Sequence, residues 1–121
     1  MTARSATFDV AAISLSGLCV IHCLALPLMS AALPVAGVLA EAEWVHKVLV
    51  LAAWPISGIA IWRSLSLKAL WPFSAAAGTG LIVLTAAAFV EALHDHETAL
   101  TVAGAMVLAS AHVWRWARQF R

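Results

Sequence analysis

"FDVAAISLSGLCVIHCLALPLMSAA", residues 8–32, decides the fold. Apart from Asp9 near its start, its only ionisable side chains are Cys19, His22 and Cys23. An α-helix needs ~20 consecutive apolar residues to cross a hydrocarbon core, and this stretch exceeds that. The whole chain agrees with a lipid setting. Of its 121 residues, 64% are hydrophobic and 11% are charged, against a charged share of ~25% in soluble domains. A soluble chain of this size lacks the interior volume to hide so much apolar surface. The class is an integral membrane protein, with the lipid bilayer as its first partner. A formal net charge of +1 implies no nucleic-acid partner. Two cysteines four positions apart on one helix make no disulfide framework. A secretory signal has a shorter apolar core, ~7–15 residues, so the first segment reads as an uncleaved span.

Three further segments match it, giving spans over Phe8–Ala32, Glu43–Ser64, Pro72–His94 and Glu97–Arg115. Pro72 suits the first turn of a helix, whereas Trp54 and Pro55 fall mid-span, where a proline commonly kinks a helix. The connections are short, so consecutive spans run antiparallel. The predicted fold is an all-α, up-down four-helix bundle, one domain over residues 1–121. Small residues recur at four-residue spacing, Ser74 with Gly78, Ala76 with Gly80, Ala99 with Ala103, and Ala105 with Ala109. Such faces let helices approach closely in lipid, within one bundle or between two copies in a homodimer.

Charge placement orients the bundle. Arg4, Arg63, Lys68, Arg115, Arg118 and Arg121 gather at one end, with Asp9 as the acid there. Glu41, Glu43, Glu91, Asp95 and Glu97 gather at the other, with Lys47. The positive-inside rule makes the basic end cytoplasmic, with both termini and the middle loop. Trp62, Trp71, Trp114 and Trp116 fit an inner interfacial belt, and Trp44 an outer one.

The acidic outer end repeats one pattern. "EWVH" supplies Glu43 and His46, and "EALH" supplies Glu91 and His94. Residues three apart share a helix face. An E-x-x-H pair on each of two facing helices is the ligand set of di-metal carboxylate bundles. The same residues also fit a solvated acidic rim, with Glu97 complementing the helix dipole at the start of the fourth span. Deeper in the first span, Cys19, His22 and Cys23 lie within about 100° of arc. His22 falls roughly 15 Å below the outer end of that span, near the midplane. Pro27 cannot donate to the Cys23 carbonyl. His112, about fifteen residues into the fourth span by the same rise of ~1.5 Å per residue, is the expected partner across the bundle. Ionisable groups within a membrane mark function by default. Thiolate and imidazole together suit soft or borderline transition-metal ions, among them mercury, zinc, copper and iron. Buried cysteines also serve as inert small hydrophobes, and His22 with His112 would alternatively ligate a haem. No nucleophile–base pair and no separate substrate domain are legible, which argues against an enzyme.

"GLCVIHCLALPLM", "EWVH" and "HETALTVAGAMVLASAHVW" together resemble the MerC-domain membrane proteins over nearly the whole chain. The resemblance implies four spans and an inner-membrane mercury(II) carrier. It implies that Cys19 and Cys23, with His22, take the ion. The mercury carriers have C-x-x-C followed by Phe-Pro, and a second cysteine pair near the C-terminus. This chain has C-x-x-H-C, a later Pro27, and no cysteine after Cys23. The expected cargo is therefore a divalent or soft cation, captured by Glu43, His46, Glu91 and His94 at the rim and held by Cys19, His22 and Cys23 at midplane, with His112 as the inward exit.

Overall fold

A helix needs a backbone N–H at every position past its first turn, and Pro27 withholds one. In the computed structural model, the first span accordingly changes its winding just before that proline. The structure describes residues 3–40, 42–118 and 121, without the side chains of residues 3–5 and 40. Glu41, counted above with the outer acids, lies outside the described residues, as does the side chain of Arg4. Helix α1 spans Ala3–Val20, a π-helical turn follows over Ile21–Ala25, and α2 spans Leu26–Ser30. The Leu26 N–H reaches back five residues to the Ile21 carbonyl, which is the π-type bond. Pro27 sits in the first turn of α2, where no donor is needed.

The first span ends at Ser30, and Pro34 stands just beyond it. That proline opens a new helix, α3, over Pro34–Ala40. The turn between α2 and α3 closes with the N–H groups of Ala32 and Leu33 both on the Met29 carbonyl, at 3.0 and 2.9 Å. Helix α3 then folds back against α2.

Helix α4 spans Glu43–Leu65 and continues through Pro55. A short 3₁₀ turn, Lys68–Leu70, leads into α5, Trp71–Phe89. This third long helix stops five residues short of the expected His94. Val90 adopts an extended backbone (φ −97°, ψ 104°), and Glu91–His96 form a 3₁₀ turn. The change follows composition: "EALHDH" is polar and largely exposed, so it gains nothing from continuing an apolar helix. Helix α6 spans Glu97–Arg118. Among the described residues no strand occurs.

The long helices pack α1 on α6, α6 on α5, α5 on α4, and α4 on α1. The tightest approach is between α5 and α6. A Cβ built on Gly80 would lie 2.9 Å from the Leu108 backbone nitrogen, and one on Gly104 would lie 3.1 Å from the Gly80 carbonyl oxygen. Ala77 and Ala105 are fully buried. The spacing Ala76–Gly80 therefore lies close to the true contact, but Gly78 is open and Gly104 is the residue that pattern missed.

The distribution of polarity is inside out. Asp9, His22, His46, Ser57, Ser64, Thr101, His112 and Arg115 are all buried. Leu28, Val38, Trp62, Trp71 and Ile82 are all more than 60% exposed. Such a surface suits lipid rather than water. Three helical stretches are long and apolar enough to cross a membrane, Ala6–Ser30, Glu43–Leu65 and Lys68–Phe89. The fourth expected span, α6, is long enough but more polar. Its buried face carries Thr101, His112 and Arg115.

Candidate metal centre

The π turn carries His22 and Cys23 on adjacent positions and buries both. Facing them is His46, one turn inside the start of α4, also buried. His22 Nδ1 lies 2.9 Å from His46 Nε2, and Cys23 Sγ lies 3.2 Å from the same nitrogen. The two imidazoles meet edge to face, with centroids 4.6 Å apart and planes at 87°. The ligand atoms of His22, Cys23 and His46 all fall within 4.8 Å of one another. That span matches a single ion with metal–nitrogen and metal–sulfur bonds of ~2.0–2.3 Å.

The outer nitrogens fix what the inner ones offer. His22 Nε2 donates to the Leu39 carbonyl at 2.7 Å. His46 Nδ1 donates to Glu97 Oε1 at 2.5 Å. A carbonyl and a carboxylate only accept, so each of these nitrogens carries a hydrogen. In the neutral rings, His22 Nδ1 and His46 Nε2 are then both lone pairs, aimed at each other beside a sulfur. Lone pairs converging at 2.9 Å repel unless a proton or a metal ion lies between them. Metal-bound imidazoles are held in this way, with the remote N–H on a carbonyl or carboxylate. Helix α3 supplies the first acceptor by folding back, and the first residue of α6 supplies the second.

Above the cluster, Glu43, Lys47, Glu91, His94 and Glu97 line a cavity of about 530 Å³. Lys47 Nζ donates to Glu43 at 3.3 Å, an exposed pair of little energetic weight. Glu97 joins the two regions. Its Oε1 holds His46, and its Oε2 lies 3.3 Å from Nδ1 of the exposed His94.

The expected residues are thus regrouped. His46 leaves the rim set and joins His22 and Cys23, so one cluster stands where two stations were expected. That cluster is level with the first turns of α4 and α6, where His46 and Glu97 stand. Glu43, Glu91 and His94 remain at the rim cavity, with Glu91 and His94 on a 3₁₀ turn instead of a facing α-helix. Cys19, one turn before Cys23, is buried among apolar neighbours that include Val50, Leu84 and Leu108.

His112 does not meet His22. Its Nδ1 lies 2.7 Å from Asp9 Oδ1, and its Nε2 lies 3.4 Å from Ser57 Oγ. Arg115 donates from Nε to both Asp9 oxygens, at 2.9 and 3.1 Å. From Nη1 it donates to the Ala60 carbonyl and Ser64 Oγ, both at 2.9 Å. Phe73 covers this network, edge-on to His112 and under the guanidinium at 4.5 Å. The Ser57–His112–Asp9 order is that of a nucleophile–base–acid relay, but all three are fully buried and no substrate can reach the serine. The network fastens α1, α4 and α6 together. In the sequence Asp9 and Arg115 read as end charges that orient the bundle, and their pairing across 106 positions has no local signal. Glu97 was readable as a helix-start acid and as an oxygen donor near the outer E-x-x-H pairs, whereas the Leu39 carbonyl leaves no mark in a sequence.

A family model described as "MerC mercury resistance protein" matches residues 9–117. No curated protein and no solved structure matches the chain.

Proposed function

The chain belongs to the MerC family, and from that premise we propose that it is a metal-ion carrier of the bacterial inner membrane. The family is one of membrane mercury resistance, and the helices are apolar enough for the setting. We read the chain as a single four-span, up-down bundle with both termini cytoplasmic. Helix α6, at 22 residues, has a length of about 33 Å at 1.5 Å per residue, enough to serve as the fourth span. Its polar face is compatible with lipid because Asp9, Ser57 and Ser64 cover it. The segregation of six cations to one end and five acids to the other supports the orientation.

The observation that carries the metal reading is the convergence of Cys23 Sγ, His22 Nδ1 and His46 Nε2, with both remote N–H groups committed elsewhere. Sulfur with two imidazoles suits mercury(II) and zinc(II), with copper and iron as weaker matches. Glu43, Glu91 and His94 would concentrate cations at the mouth. His22, Cys23 and His46 would then take the ion. Cys19, one turn further along α1, is the next soft donor inward. The protein holds and passes its cargo, and no bond of a substrate is made or broken.

Purified protein is expected to bind zinc(II) or mercury(II) with a stoichiometry near one. Cys23→Ser and His46→Ala should each weaken binding by more than the ~10–100-fold typical of losing an outer partner. Unchanged affinity in both variants, measured by competition titration, overturns the assignment.

A further inference from the structure

Glu97 is the carboxylate that touches the cluster. Its side chain is only 14% exposed, and its partners are the imidazoles of His46 and His94. Among the described residues, the cation nearest in sequence to the cluster, Lys47, gives its ammonium to Glu43. No lysine or arginine among the described ion pairs neutralises Glu97. Glu43 and Glu91 face open solvent, where charges are screened within a Debye length of ~8–10 Å. Glu97 is mostly withdrawn from that screening and acts on the site more strongly.

The geometry points to Glu97 as the residue that sets the valence of the bound ion, an inference that rests on the metal reading above. A metal holds the Cys23 sulfur as thiolate, which places one negative charge in the cluster. Glu97 adds a second, one imidazole away. Two neutral imidazoles add none. A dication balances this pair of charges, whereas a monocation leaves one uncompensated in a buried setting, which is costly. The site therefore selects divalent ions over monovalent soft ions that favour the same sulfur and nitrogen donors. Positioning and charge are separable here. The amide oxygen of a glutamine still accepts the His46 Nδ1–H, so Glu97→Gln keeps the orientation and removes the charge.

The test uses the full chain in lipid nanodiscs, with zinc(II) and silver(I) as probes that both accept sulfur and imidazole donors and differ in charge. For Glu97→Gln, zinc affinity should fall ~10–100-fold, while silver affinity holds or rises, so the zinc-to-silver ratio drops by at least that factor. Glu97→Asp keeps the charge with a shorter reach and should preserve the ratio even where both affinities fall. Equal losses for both ions in Glu97→Gln, or no loss in either, overturn the inference. So does a ratio change in Glu97→Asp as large as that in Glu97→Gln. Silver binding by the same preparation controls for folding. Failure of the underlying metal reading looks different: Cys23→Ser and His46→Ala would then leave both affinities unchanged.

Discussion

His46 stands three residues after Glu43, a spacing that puts both on one face of an ideal helix. The face they share is less decisive than the depth of each. Glu43 opens α4 and stays at the rim, while His46 is one turn deeper and meets a sulfur. The two cysteines separate by the same reasoning. Cys23 touches His46, whereas Cys19 packs among apolar side chains. Cys19→Ser is accordingly expected to leave zinc affinity within a factor of a few, and Cys23→Ser to lose it. A competition titration of the two single variants checks this. The reverse order would make Cys19 the primary ligand. Cys19, His22, Cys23 and His46 were each legible as donor types, because thiols and imidazoles are scarce in lipid. Their grouping was not, because it depends on a helix hairpin that brings the Leu39 carbonyl over His22.

The π turn between α1 and α2 is the element on which the site depends. One residue beyond the α-helical count turns the following side chains by about 100° around the axis. Pro27 favours this winding by withholding the N–H that a regular helix would use. Pro27→Ala restores the donor, and the stretch then has an α-helical alternative that turns Cys23 away from His46. Zinc affinity should fall while helicity by circular dichroism holds. Retained affinity would show that packing alone maintains the π turn. At the α5–α6 contact the constraint is steric instead. Gly80→Val pushes side-chain atoms into the Leu108 and Gly104 backbone, an overpacking worth ~1–3 kcal/mol. Its thermal unfolding midpoint in detergent should fall, while Gly78→Val, at an open position, should barely move it. Repeated small residues announced this contact, but spacing alone does not say which member of the pattern faces the neighbour.

For the molecule as a whole, many large apolar side chains lie on the outside, while Asp9, His22, His46, His112 and Arg115 are buried within. At one end lies the His22–Cys23–His46 cluster, and at the other the Asp9–His112–Arg115 network. The network holds its charges in pairs, and breaking such a buried pair costs ~3–5 kcal/mol. Arg115→Ala should therefore lower stability by roughly that amount, and zinc affinity much less. Asp9→Leu combined with Arg115→Leu should recover part of the loss, because no lone charge is left. Unfolding of the two variants side by side measures the difference, and an equal loss in both would assign the effect to packing. Asp9 and Arg115 also lie 106 positions apart. Chains are made from the N-terminus onward, so the ribosome delivers Asp9 almost a full chain length before its guanidinium. Every intermediate of synthesis up to α6 holds that aspartate without Arg115 or His112. The last helix to emerge is thus the one that completes the first, and a nascent chain stalled before residue 112 presents an incomplete bundle to membrane quality control.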